Sequence, residues 1–265
     1  LLSEMAGAPR HTLAAALAES LLLVGRIEFF DLRQPDDAEG HFVEALQAAG
    51  AADNQLLGSA ILAHSAFVPG WAGEREAAAE RLRAARVYAR RAEGVPAQFT
   101  AWLHAVGAEC GTRCGKHREA LKSISRGEEA LADAADGPLP EWFDCFSPVR
   151  LAAFKGNTQL KAGHFPQARA TLLAVLEQLS DEERKQRTVV LGDLAAVEAA
   201  EGHAEAACAR AIEALDQLAV TWYAAGMERV RDLRRSMDQW SDLDCVMELD
   251  DRLYEWRTTV NALQR

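Results

Sequence analysis

The apolar residues Ala38, Phe42, Ala45 and Leu46 form a small-and-large ladder along the chain. The ladder returns as Ala78/Leu82/Ala85, Ala120/Ile124/Gly127, Ala168/Leu172/Val175/Leu176 and Ala207/Ala211/Ala214/Leu215. Steps of four and three put these side chains on one face of a helix, and their return every ~40 residues marks a helical-repeat array. In four of the five copies a glycine, Gly73, Gly115, Gly163 or Gly202, stands five residues before the leading alanine. Glycine can end a helix in the left-handed conformation, so each unit is predicted as helix, tight turn, helix.

The pattern predicts helix pairs over 12–48, 53–92, 97–132, 150–179 and 181–218, and a capping pair over 220–262. Asp36 or Asp37 is expected to cap a helix after Pro35, and Val68-Pro69-Gly70 to break or bend the helix before it. Between the third and fourth pairs lies a longer connection, Ala134 to Pro148, carrying Trp142, Phe143 and Phe146. A loop of this length in an array either has a function or packs over the core. The last helix carries Leu243, Val246, Leu249, Leu253 and Trp256 on one stripe with acidic residues around the rest, as suits the end of a stack. The expected fold is all-α: a right-handed α-α superhelix, or solenoid, of about five helix pairs plus a C-terminal capping pair, forming a single domain over 1–265.

Composition narrows the function. With 49% hydrophobic residues in 265, the chain can bury a large core. A formal net charge of -11 argues against the chain itself gripping nucleic-acid phosphates. The basic stretches Arg81/Arg83/Arg86/Arg90/Arg91 and Arg229/Arg231/Arg234/Arg235 alternate with apolar residues at helical spacing and read as solvated helix faces. No apolar run approaches the ~20 residues of a membrane span, so no membrane partner is expected. Five scattered cysteines, Cys110, Cys114, Cys145, Cys208 and Cys245, fit a reducing cytoplasm. The sequence starts Leu1-Leu2-Ser3 without a methionine, as expected either of a trimmed chain or of one whose preceding segment is not included.

The ladder and the glycine resemble the tetratricopeptide repeat, although the unit here is longer and the turn aromatic survives only as His117 and Phe165. The stretches Trp142-Phe143-Asp144, Arg150 to Thr158, Gln186 to Ala195 and Thr221 to Met227 look like the C-terminal regions of actinobacterial regulators of the XRE, helix-turn-helix type. That resemblance implies a DNA-binding domain that is absent from this chain, and DNA contact only through it. It also implies a repeat region that senses a small molecule or peptide and sets the oligomeric state, with a homodimer as the expected assembly.

Little in the chain suggests catalysis. There is no GxSxG, HExxH, GxxxxGK[ST] or GxGxxG, and the adjacent carboxylates Glu128/Glu129 and Asp250/Asp251 point in different directions on their helices. No enzymatic activity, cofactor or metal is expected. Cys110, Cys114 and His117, with His104 upstream, come nearest to a zinc set. The repeat register, however, places the cysteines inside a helix and His117 at a turn where an aromatic normally packs.

The first helix of each pair is expected to line a concave face. Projecting the register gives Phe30, Asp31, His64, Phe67, Trp71, Trp102, Glu109, Arg113, Arg150, Asn157, Lys161 and Asp193, with Trp222 and Tyr223 closing the end. Aromatics with a few charges suit a pocket for a small molecule or peptide, while the same aromatics could fill the core between pairs. Arg150 and Asp193 could pair as a structural tie. Asn157 is expected to bond the backbone of the next unit or a ligand, since a buried amide needs a partner. The expected function is the ligand-sensing and interaction region of a transcription regulator. The alternatives are a free-standing adaptor for a partner protein and an enzyme of specialised metabolism with a site near His64 or His104.

Overall fold

In the computed structural model, which describes residues 7–132, 138–143 and 146–263, with side chains as far as Trp256, each repeated ladder is buried. Ala38, Ala45, Ala85, Ala168, Leu172, Ala207, Ala211, Ala214 and Leu215 have no exposed surface, and Phe42, Ala78, Leu82, Ala120 and Ile124 have almost none. Burial of a small-large-small stripe is what lets two helices approach while still filling the space between them.

The regular structure of the described residues is helical, with no strand. The helices are α1 (Ala8–Arg26), α2 (Pro35–Ala51), α3 (Gln55–Ser65), the short α4 (Phe67–Trp71), α5 (Arg75–Arg91), α6 (Ala97–Arg113) and α7 (His117–Ala132). They continue as α8 (Pro148–Lys161), α9 (Phe165–Gln178), α10 (Arg184–Ala200), α11 (Ala204–Val220), α12 (Ala224–Ser236) and α13 (Asp244–Leu263). None is long and apolar enough to cross a membrane.

Two compact units divide the chain, one up to Phe154 and one from Lys155. In the first, α1 packs on α2, α3 and α4 on α5, and α6 on α7, and successive pairs touch through α2 with α3 and α5 with α6. Its core is built around Phe29, Phe42, Leu57, Ile61, Phe99 and Ile124. In the second, α10 packs against α9, α11 and α12, and α13 lies on α11, around Leu191, Leu215, Leu218 and Met227.

Helix ends follow local chemistry. Gly73, Gly115, Gly163 and Gly202 have φ of 79°, 71°, 79° and 87°, the left-handed region in which a Cβ crowds the carbonyl. In the first repeat the same register position is Arg33, with φ 60°, reached through a wider π-type turn over Ile27–Leu32. α2 starts at Pro35, so Gln34 occupies the cap and Asp36 and Asp37 fall in the first turn, where they complement the helix dipole. The regular helix is interrupted at Ala66, just before the Val68-Pro69-Gly70 stretch, and resumes as α4. Within the long connection, Phe143 and Phe146 are buried, and Phe143 lies 5.2 Å from Phe99 and 5.6 Å from Trp102 by ring centroids. In the last helix pair Val246 and Leu249 are buried, but Leu243 precedes α13 and is exposed.

Gly163→Ala and Gly202→Ala are each expected to lower stability by about 1–2 kcal/mol in urea unfolding. Gly40→Ala is expected to act with the opposite sign. Gly40 lies inside α2 with open space around its Cβ direction, and alanine lowers the entropy of the unfolded chain.

Candidate functional site

The first unit gathers its aromatics from the π-type turn after α1, from α4 and from the middle of α6. Phe30 touches Phe67 at 5.2 Å and Trp71 at 5.8 Å, both edge to face, and Phe29 touches Trp71 at 5.0 Å. His64 lies 4.8 Å from Trp102 and 6.3 Å from Phe67. Edge-to-face and offset contacts of this kind match the ring quadrupoles as well as burying area. Phe67 and Trp71, at the two ends of α4, carry its contacts with Phe29 and Phe30.

Two arginines complete this cluster. The Arg33 guanidinium lies 4.7 Å from the Trp71 ring centroid and the Arg113 guanidinium 4.0 Å from it. Arg113 is held one turn from its counter-charge, its Nε donating to Glu109 Oε1 at 3.0 Å, with Glu109 almost fully buried. The Trp71 indole N–H is buried without a hydrogen-bond partner. Asp31 is half-buried in the wide turn between α1 and α2. Phe67 and Trp102 are buried, whereas Phe30, Trp71 and Arg113 keep part of their surface.

His64 is enclosed. Its Nδ1 is 2.9 Å from the Ala60 carbonyl, and burial, reinforced by the charge of Arg26, pushes its pKa down to about 3. It is therefore a neutral ring of the core at any ordinary pH.

Arg150 is half-buried in the first turn of α8, its backbone N–H donating to Ser147 Oγ at 3.3 Å. In the second unit Asn157, almost fully buried, donates from Nδ2 to Asp193 Oδ1 at 2.9 Å, so its amide finds a carboxylate rather than backbone. Asp193 also receives Arg229, at 3.3 Å from Nε. Asp193, Arg229 and the exposed Lys161 line a cavity of about 450 Å³, together with Asp232 and Trp240. Trp222 is exposed and lies tilted against Trp256, with ring centroids 5.6 Å apart, and Tyr223 precedes α12 with Lys185 at 5.6 Å over its ring.

The cysteines of α6 take part in packing. Cys110 Sγ lies 3.5 Å from the Ala66 carbonyl and Cys114 Sγ 3.9 Å from that of Gly70. A Cβ on Gly70 would come within 2.7 Å of Cys110 Sγ, so the glycine is what admits the sulfur. Burial, and then the Glu109 charge, raises the Cys110 thiol far above its ordinary pKa, which holds it protonated. Cys145 lies outside the described residues. Among the described residues, the trio with metal-ligand convergence is Glu198, Glu201 and His203. Arg169 bridges it, 2.8 Å from Glu198 and paired with Glu201, and so already supplies the positive charge that two carboxylates call for.

The basic stretches are more than solvated faces. Arg81 pairs with Glu39 and donates to the Ser65 carbonyl at 2.8 Å, Arg229 reaches Asp193, and Arg234 grips Asp250 at 2.6 and 2.7 Å. Sequence reasoning left Arg33 and Arg229 out of the site. Arg33 had one sequence-level signal, its place at the glycine position of the repeat.

Comparison with models of known protein families and with curated proteins returns no match.

Proposed function

We propose that this chain is a non-catalytic recognition array of the tetratricopeptide type, a right-handed superhelix of helix pairs. In this reading it serves as the ligand-sensing and interaction region of a transcription regulator. The recognition face of the first unit centres on Trp71 and takes an amphipathic ligand with a carboxylate, such as a short peptide's C-terminus. The observation that carries this reading is the pair of guanidinium groups over Trp71, at 4.7 and 4.0 Å, beside an indole N–H that is buried and unpaired. An acceptor brought in by a ligand would recover the free energy lost at that N–H, and the planar cations suit a carboxylate. Phe30, which keeps part of its surface, offers apolar area beside it. The regulator context rests on the sequence stretches from Trp142 to Met227.

The test is fluorescence anisotropy with a panel of labelled apolar peptides, each made as the free C-terminal acid and as the amide. Free acids are expected to bind at least about tenfold tighter than their amides, and Arg113→Gln and Trp71→Phe to remove that preference. A panel in which no acid binds, or in which acid and amide bind alike, would overturn the reading.

A further inference from the structure

A second basic locus, separate from the Trp71 cluster, lies in the first unit between α5 and α7 over α6. There a groove of about 290 Å³ has the small residues Gly107 and Gly111 in its floor and Arg83, Arg86, Arg126 and Ser123 among its walls. The floor is low because α6 carries no side chain at those two positions. A Cβ on Gly107 would stand 3.2 Å from Arg86 Nη2 and 3.5 Å from Ser123 Oγ, so the guanidinium rests directly over the glycine.

The charge in this groove is not balanced. Among the described residues, Arg83, Arg86 and Arg126 have no carboxylate within ion-pair distance, while the acidic residue of the groove, Glu119, is taken by Arg75 at 3.6 Å. Arg86 is half-buried, and its pKa is lowered by burial and then by the charges of Arg126 and Arg90. Arg86 and Arg126, after burial, lower the pKa of His104 in α6. Gathering guanidinium groups without counter-charge costs free energy in a chain whose net charge is -11 and which has carboxylates to spare. That cost is offset when an anion arrives.

We propose that this groove binds a small phosphate-bearing molecule, its phosphoryl or diphosphate group seated over Gly107 among Arg83, Arg86 and Arg126. Phosphate suits the set better than a single carboxylate, since it brings more than one charge and several acceptor oxygens to forked donors. A small ligand suits it better than nucleic acid. The groove is bounded, Glu119 stands within it, and the net acidity of the chain repels a long polyanion.

The experiment is calorimetric titration of the whole chain with sodium pyrophosphate at low salt, with a short DNA duplex as the competing probe. One pyrophosphate per chain is expected. Arg86→Gln and Arg126→Gln should each weaken it about tenfold or more, and Arg210→Gln, on the second unit, should leave it unchanged. Gly107→Ala keeps all the charges but displaces the Arg86 guanidinium, and is expected to weaken binding severalfold. Without ligand, Arg86→Gln should melt no lower than the wild type, so weakened binding in that variant is not unfolding. Absence of pyrophosphate binding, equal binding by the wild type and both glutamine variants, or tighter binding of the duplex than of pyrophosphate would each overturn the proposal.

Discussion

Replacing Asp193 with leucine is expected to destabilise the second unit by about 3–5 kcal/mol, the range for removing one partner of a buried ion pair. Asp193 is almost fully buried on α10, and its carboxylate serves two groups from other helices, the Asn157 amide of α8 and the Arg229 guanidinium of α12. Both donors are themselves largely out of solvent, Asn157 with 3% exposure and the Arg229 side chain with 11%, so water cannot take over the lost contacts. The double replacement Asp193→Leu/Arg229→Met should recover much of the loss, because it removes the cation together with its carboxylate. Asp193→Asn should fall between wild type and Asp193→Leu, since it still accepts from Asn157. Urea unfolding followed by far-UV circular dichroism reads all three. A cost below about 1 kcal/mol for Asp193→Leu would place this network with exposed ion pairs, which contribute little.

The ladder was legible in the sequence because helix periodicity and the need for small residues at close contacts act locally. The buried Ala207, Ala211, Ala214 and Leu215 of α11 lie where the repeat put them. The left-handed glycines were legible for the same reason, and Arg33 was not. An arginine takes that conformation only when its surroundings hold it there, here the π-type turn before it and the stacking on Trp71. Site geometry depends on contacts between helices far apart in sequence. Periodicity could mark Asn157 and Asp193 as inward-facing, yet only the tertiary structure shows that Asp193 of α10 joins Asn157 of α8 to Arg229 of α12. Arg86 makes the same point. On its own helix it looks like one arginine of a solvated face, and it becomes half-buried because Gly107, on another helix, leaves room beneath it.

Acidification is expected to weaken the first unit through His64. With its pKa pushed down to about 3 by burial and by Arg26, the folded ring stays neutral, while the unfolded chain takes up a proton below the ordinary value of 6.5. The sign follows from linkage: between those two values the unfolded state binds more protons, so stability falls as pH falls, by up to about 1.4 kcal/mol per pH unit from this group alone. His41 acts in the other direction. Its pKa is raised, chiefly by its hydrogen bond to Glu28, so its contribution is full below 6.5 and is lost as pH rises through the folded value; the pair is partly exposed and its weight is correspondingly small. His64→Phe keeps a ring against Trp102 and removes the titrating group, leaving the Ala60 carbonyl with its helical bond. The difference in stability between wild type and His64→Phe should therefore move in favour of the variant by about 2–3 kcal/mol between pH 6.5 and pH 4.5. Urea midpoints across that range measure the difference, and carboxylates common to both proteins cancel from it. Parallel pH profiles, or a folded-state His64 resonance titrating near 6.5, would show that the ring has access to water, and the Phe42–His64–Phe67–Trp102 packing would then have to open on its own to admit it.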